Sequence, residues 1–462
     1  MLLKPTELAI DPLEPFAKDA FERKDVIEGL VQLMGRLSGP FVIAIDSPWG
    51  TGKTTFLKML QASLQRESFA CLNFNAWETD FADDPLIAFM GETDELIRGI
   101  SGVEANRLQS LDRAKRIAGA VAKRAIPAAI KAATFGALDV SDEIEKVVAD
   151  AAGSMTTDAV DSYIKEKGLI KEFHKQIDRA FALVEEKGRR LPMVIFVDEL
   201  DRCRPLYAIE LLERIKHLFN VSSAVFVLAV DKEQLGISLG AVYGQGFNAN
   251  EYLRRFFDLE LKLAQIDSTR FCESLIERMG LDEFFAERTH AKTRSDSERL
   301  KTAFRDLSKL FRLTPRAQEH YMTLLALAML TTPKDQHFNV ELTAIVAAVK
   351  IGASDVYERV AKLGASVMEI IVLLENQEKS VGRLPDDFRP VVLGALLAAR
   401  DHNDKSAQAR YDSIVSRSSA GISGQFDQES EWILDVMRDH SFRSVKMRTI
   451  VKRIDLAAQF ER

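Results

Sequence analysis

Apolar positions in the first part of the chain come in short unbroken runs, each followed by a stretch of helical spacing. Phe41–Asp46 is such a run, with Ser38-Gly39-Pro40 before it and a glycine-rich turn after it, and it predicts a buried parallel strand. Lys53–Gln65 then carries Phe56, Leu57, Leu60 and Leu64 at helical periodicity. Phe69–Phe74, Met193–Val197 and Ala224–Val230 repeat the strand pattern, and Asp258–Leu263 alternates as a fifth strand. Arg23–Leu37, Leu206–Phe219 and Asn250–Phe256 read as helices, and helical patterns continue on and off between Pro85 and Glu186. Strands alternating with helices in this way predict an α/β fold around a five-stranded, mostly parallel sheet.

Beyond Asp267 the strand signals stop. Ser268–Met279, Ser297–Leu310, Pro315–Leu330 and Val340–Ile351 all have helical spacing, which predicts a helical C-terminal region. Gly382–Pro390 and the polar stretch Asp401–Gln428, with Ser416-Arg417-Ser418-Ser419, read as exposed connections. The division expected is a first domain over residues 1–265 and a helical region over 266–462.

Composition narrows the class. At 462 residues the chain has room for about three ordinary domains, and 47% apolar with 28% charged residues is globular usage. A formal charge of −7 excludes a wholly basic nucleic-acid coat but leaves room for local basic patches. Cys71, Cys203 and Cys272 lie far apart, which argues against a disulfide framework or a cysteine zinc site and fits a reducing cytoplasm. Met1–Glu22 does not read as a secretory leader, and the most apolar runs, Met322–Leu330 and Val391–Ala399, fall short of the ~20 residues that cross a bilayer.

The chemistry concentrates in the turn after the first strand. Ser47-Pro48-Trp49-Gly50-Thr51-Gly52-Lys53-Thr54 stands between a strand and a helix, the setting of a phosphate-binding loop. Backbone N–H groups along residues 49–54 can form an anion nest at the positive end of the helix dipole. Trp49, Gly50, Thr51, Gly52, Lys53, Thr54 and Thr55 are thus the candidate nucleotide-binding residues. Lys53 suits the β- and γ-phosphates of ATP, and the Thr54 hydroxyl suits Mg²⁺. Ser47 departs from the pattern, which asks for glycine there.

The apolar run Met193–Val197 ends in Asp198 and Glu199, and ligands of parallel sheets bind beyond the carboxyl ends of the strands. Asp198 suits outer-sphere Mg²⁺ coordination; Glu199 suits polarising an attacking water, which favours hydrolysis over nucleotide storage.

Taken together, Trp49-Gly50-x-Gly52-Lys53-Thr54, Phe74-Asn75-Ala76-Trp77-Glu78, Asp83-Asp84-Pro85-Leu86 and Asp198-Glu199-Leu200-Asp201-Arg202-Cys203 resemble the KAP family of P-loop NTPases. The resemblance spans about residues 15–320. It implies an additional-strand P-loop fold, with a strand between the phosphate-loop strand and the acidic strand, ATP binding and hydrolysis, and a helical region after the nucleotide domain. Family members commonly carry transmembrane helices between the two Walker motifs. Here the helical insertion, about residues 98–170, is interrupted by Lys123, Arg124 and Lys131, so the chain resembles a soluble or membrane-peripheral member that does not span a membrane. Bacterial members occur in phage exclusion and other defence settings, which makes antiviral defence the biological setting the resemblance implies.

Further positions carry two readings each. Arg255, after Tyr252-Leu253-Arg254, falls where the family places a positive charge; it is a candidate arginine finger for a neighbouring subunit, or a helix-end arginine. Arg316 follows Thr314-Pro315 at a helix start and is a candidate nucleotide sensor or a surface residue. Asp231 stands at a strand end, as a γ-phosphate sensor or a helix N-cap. Asp201 and Arg202 read as a structural or interface ion pair rather than as ATP ligands, and Trp49 and Trp77 as packing beside the loop or, by default for an aromatic, in the core. The basic run Arg107, Arg113, Lys115, Arg116, Lys123, Arg124, Lys131 reads as a solvated helical face, with an anionic membrane or nucleic acid as the alternative. The same choice applies to Arg443, Lys446, Arg448, Lys452 and Arg453. The expected activity is that of a Mg²⁺-dependent ATPase acting as a conformational switch, with self-association and an unidentified protein effector. A nucleotide-gated scaffold and a nucleic-acid-dependent motor are the alternatives.

Overall fold

A computed structural model describes residues 3, 8–82, 84–99, 108–122, 157–244, 246–264, 268–286, 293–333, 336–401, 403–419, 428–439 and 446–460. The elements of the first part are α1 (Lys24–Met34), β1 (Phe41–Asp46), α2 (Lys53–Arg66), β2 (Phe69–Asn75), α3 (Pro85–Gly99), α4 (Gln109–Ala122) and α5 (Thr157–Glu185). They continue with β3 (Arg190–Asp198), α6 (Pro205–Leu218), β4 (Ala224–Val230), α7 (Lys232–Tyr243), α8 (Ala249–Leu253) and β5 (Leu259–Lys262).

The five strands form one sheet in the order β2-β3-β4-β1-β5, and every pairing is parallel. The interposed strand is β4, which separates the phosphate-loop strand β1 from the acidic strand β3, as the additional-strand fold requires. Register carries this to single residues: Val197 lies opposite Leu228, and Leu228 opposite Ala44. The carboxyl end of β3 therefore reaches the same rim as the turn that leaves β1.

Both faces of the sheet are covered, because strand residues alternate between them. Val42, Ala44, Leu72, Phe74, Ile195 and Leu228 join the core under α3, α4, α5 and α6. Ile43, Ile45, Cys71, Val194, Phe196 and Val227 join the core under α1 and α2. Phe89 of α3 anchors the first of these, fully buried against the rings of Phe219, Phe226 and Phe74 at centroid distances of 4.2, 6.0 and 5.7 Å. The insertion takes part: Leu111, Ala114 and Ala118 of α4 are buried in the same cluster. Arg113 and Arg116 are exposed on the other side of α4, and Lys115 pairs with Asp94 at 3.0 Å, the solvated face read from the sequence. Arg107, Lys123, Arg124, Lys131 and Arg443 lie outside the described residues.

The second part is helical: α9 (Ser268–Met279), α10 (Asp282–Ala286), α11 (Thr293–Leu310), α12 (Pro315–Leu330), α13 (Val340–Gly352), α14 (Ser354–Lys362), α15 (Met368–Val381), α16 (Arg389–Ala398), α17 (Lys405–Ser419), α18 (Gln428–Arg438) and α19 (Met447–Phe460). Its core runs from Phe271 to Ile454. One element corrects the reading from sequence, for α17 occupies most of the polar stretch that was expected to be an open connection. Ala407 and Ile414 are buried along it, with Tyr411 and Val415 beside them. That i, i+4, i+7, i+8 stripe is narrow and is outnumbered by serines and charges. Among the described residues no helix is long and apolar enough to cross a membrane.

Replacing Phe89 by Ala is expected to lower unfolding stability by about 3–5 kcal/mol, from lost transfer energy and the cavity left among the rings. Urea denaturation of the two proteins measures it, and a loss below about 1 kcal/mol would mean that the aromatic cluster collapses to fill the space.

Candidate nucleotide site

The turn between β1 and α2 is held from several sides. Ser47 is buried, and its N–H donates to the Val230 carbonyl at 3.0 Å. Gly50 and Gly52 take φ of +75° and +80°, a conformation that penalises a side chain. Space excludes one as well: a Cβ on Gly52 would stand 2.9 Å from Phe21 Cε2, and one on Gly50 would stand 2.5 Å from Arg316 Cβ. Arg23, just before α1, donates from Nη1 to the Gly52 carbonyl at 2.8 Å and from Nη2 to the Thr51 carbonyl at 2.7 Å. Its guanidinium is buried and lies 4.6 Å from the Phe21 ring centroid, and burial pulls its pKa down to about 10. With carbonyls drawn outward, the loop can present N–H groups to an anion.

Thr54 and Asp198 are brought into direct contact, the Thr54 hydroxyl donating to Asp198 Oδ2 at 2.7 Å. A hydroxyl and a carboxylate are the hard oxygen donors that Mg²⁺ takes alongside phosphate oxygens, so this pair fits the metal. Among the described residues no group of three His, Cys, Asp or Glu side chains forms a metal site. A Mg²⁺ held here would complete its shell with water and phosphate oxygens.

Lys53 is buried, with Nζ on the Ser47 carbonyl at 2.7 Å and 3.5 Å from Asp201 Oδ2. Asp201 also accepts the Trp49 indole N–H at 2.7 Å and the Asp231 N–H at 3.0 Å. Asp201 thus ties the phosphate loop to the end of β4 and does not pair with Arg202. Arg202 instead pairs with Glu199, Nη1 to Oε1 at 2.8 Å. Asp231 is an N-cap, accepting from the Gln234 N–H at 3.2 Å, and its other oxygen accepts the Trp49 N–H at 3.1 Å. The two tryptophans correct the core reading: Trp49 is 44% and Trp77 53% exposed.

Glu199 sits at φ +59°, rare for a residue with a side chain, and its carboxyl is pushed above the usual range by burial. Arg202 pulls it down, and Asp198, Asp201 and Glu78 add to the rise. The neighbouring motif residues hold the rim together. Asn75 Oδ1 accepts the N–H groups of Trp77 and Glu78 at 3.1 and 3.3 Å, and the Ala76 N–H donates to the Asp198 carbonyl at 3.0 Å. Asp84 pairs with buried Arg214 at 2.6 Å, while Asp83 lies outside the described residues.

These groups line a cavity of about 1010 Å³ between the sheet rim and the helical region. Trp49, Gly50, Gly52, Lys53, Thr54, Thr55, Asp198 and Glu199 reach it, and so does Arg316, whose N–H donates to the Gly50 carbonyl at 3.1 Å. Arg255 does not line it. It precedes Asp258, whose N–H bonds the Val42 carbonyl at the opposite rim of the sheet. Sequence reading missed Arg23, Phe21, Phe271 and Arg278. An arginine closely following an aromatic, as Arg23 follows Phe21, was the one signal available for the brace.

A parallel sheet with an interposed strand, a glycine turn opening a helix, and an acidic strand end touching that turn define a P-loop NTPase. The KAP family P-loop domain matches residues 23–330, and the chain belongs to that family. No curated protein matches it. Solved structures to which the chain is similar include the Aeropyrum pernix ORC2 protein in ADPNP-ADP complexes, 11% identical over 99% of this chain and 96% of that one, with a TM-score of 0.30. Another is the replication initiator DnaA bound to AMPPCP and single-stranded DNA, 11% identical over 90% of this chain and 93% of that one, with a TM-score of 0.25. Likeness at this level carries no argument about fold or function.

Because burial raises the Glu199 pKa, the folded chain binds that proton more tightly than the unfolded chain. That contribution to stability is complete below the unfolded value and is lost as pH rises through the raised folded one. Glu199→Gln cannot ionise, so its Tm relative to wild type is expected to improve from about pH 4 to pH 7. Paired thermal melts check this; a difference that stays flat or shrinks would show that Arg202 outweighs burial.

Proposed function

We propose that the chain binds ATP with Mg²⁺ and hydrolyses it, and that hydrolysis moves the helical region against the phosphate loop. The observation that carries this is the 2.7 Å contact between Thr54 and Asp198 beneath an N–H nest, since it joins a phosphate site to a metal site. In this reading the N–H groups of residues 50–54 and Lys53 hold the phosphates, the Trp49 N–H staying on Asp231, with Lys53 leaving the Ser47 carbonyl for them. Thr54 and Asp198 would hold Mg²⁺, which neutralises charge that develops on the phosphate oxygens. Glu199 orients and deprotonates water, and its raised pKa makes it a better base than an exposed glutamate.

The switch part of the proposal rests on the lid contact. Arg316 and Gly50 touch through main chain, so a movement of the loop on phosphate binding is felt at the start of α12. The division into a nucleotide domain over residues 1–265 and a helical region over 266–462 is proposed on the same footing. Arg255 stands at the rim away from its own Lys53, so a finger role requires a second copy of the chain. A cytoplasmic setting follows from the sequence reading, and a role in defence against phage, through an unidentified effector, rests on family resemblance.

Steady-state phosphate release tests the reading. Glu199→Gln is expected to lose about 10²-fold or more in turnover while keeping nucleotide affinity, and Lys53→Ala to lose affinity itself. If assembly supplies Arg255, turnover per chain rises with protein concentration, and Arg255→Ala removes the rise. Tight ATP binding without turnover at every concentration, with and without DNA, would leave a nucleotide-gated scaffold.

A further inference from the structure

Arg202 occupies a position that neither the loop nor the acidic pair explains. The single turn Leu200–Arg202 follows Glu199 and folds the guanidinium back onto that carboxylate at 2.8 Å. Its other side faces the exposed Trp77 ring, with the guanidinium carbon 5.7 Å from the ring centroid. Arg202 is 34% exposed and lines the same cavity as Lys53 and Thr54. Asp198 and Asp201 already have partners on the loop.

A triphosphate seated on this loop brings its terminal group beside three carboxylates. Like charges at such range repel strongly in a partly desolvated site. A partly exposed ion pair such as Glu199–Arg202, in contrast, contributes little and is readily exchanged. Phosphate is the better partner for a guanidinium, because it carries more charge and can accept two parallel N–H bonds. The aromatic face behind Arg202 keeps the side chain near the cavity whichever anion it holds.

We propose that Arg202 exchanges Glu199 for the terminal phosphate of a bound nucleoside triphosphate, distinguishing triphosphate from diphosphate and freeing Glu199 in the same movement. The proposal rests on the assignment of this cavity to a nucleotide, with Glu199 as the base. A diphosphate offers no terminal group at this rim, so Glu199 stays paired after hydrolysis. Arg202 is in this account a specificity-determining and positioning residue, and one side-chain movement couples recognition to readiness for hydrolysis.

The test uses the full chain and measures MgATP and MgADP affinity by calorimetry for wild type, Arg202→Gln and Arg202→Lys, with Tm as a check on folding. Arg202→Gln is expected to weaken ATP about tenfold or more and to leave ADP within about twofold, and Arg202→Lys to recover part of the ATP loss. Equal weakening of both nucleotides, or of neither, overturns the proposal, because a structural role would not move their ratio. The base assignment fails separately. Continued turnover by Glu199→Gln would remove Glu199 as base without touching the affinity ratio, while an unchanged ratio in Arg202→Gln would sink the exchange and leave the base in place.

Discussion

A phosphate loop must aim its N–H groups inward, so its carbonyls point outward and need donors of their own. In this chain those donors come partly from the loop's own side chains and partly from distant segments. The Ser47 carbonyl takes Lys53 Nζ, Pro48 takes the Thr51 hydroxyl, Gly50 takes the Arg316 N–H, and Thr51 and Gly52 take Arg23. A buried carbonyl without a partner is costly, so each of these bonds also constrains where its donor's element can lie. The segment before α1 and the start of α12 are thereby fastened to the same turn, and the loop becomes the joint between the sheet and the helical region.

The acidic side of the site depends on the same joint. Asp201 reaches the Trp49 indole, Lys53 and the Asp231 N–H only because β3 and β4 end at the level where β1 turns. Its carboxylate collects donors from the loop and from the neighbouring strand, so the loop, the acidic strand and the interposed strand share one polar centre. Glu199 stands just outside that centre, beside Asp198 and paired to Arg202. The geometry thus divides the acidic run into Asp198 and Asp201, which bond the loop, and Glu199, which is turned toward Arg202.

Strands β1 and β4 were legible to the residue, because an uninterrupted apolar run between turn residues has few alternative structures. Lys53, Thr54, Asp198 and Glu199 were legible for a related reason, since their spacing from strand ends puts their side chains at one rim of any parallel sheet. Helix α17 was hidden because its apolar stripe is thin, and a packed neighbour rather than local pattern makes it a helix. Trp49 was misread because hydrophobicity alone says nothing of an indole N–H that has a carboxylate to meet.

Sequence by itself determined the strand and helix rhythm, the phosphate loop, the acidic strand end and the family, because all of these are set by residues close together in the chain or by fixed short motifs. Tertiary structure alone decided the partners: Arg23 on the loop's carbonyls, Asp201 on Lys53 instead of Arg202, Arg202 on Glu199, and Arg255 at the far rim. A charged side chain a few methylenes long can serve any of several neighbours. Which one it serves is settled by burial and by competition among donors, and both exist only once distant segments have packed together.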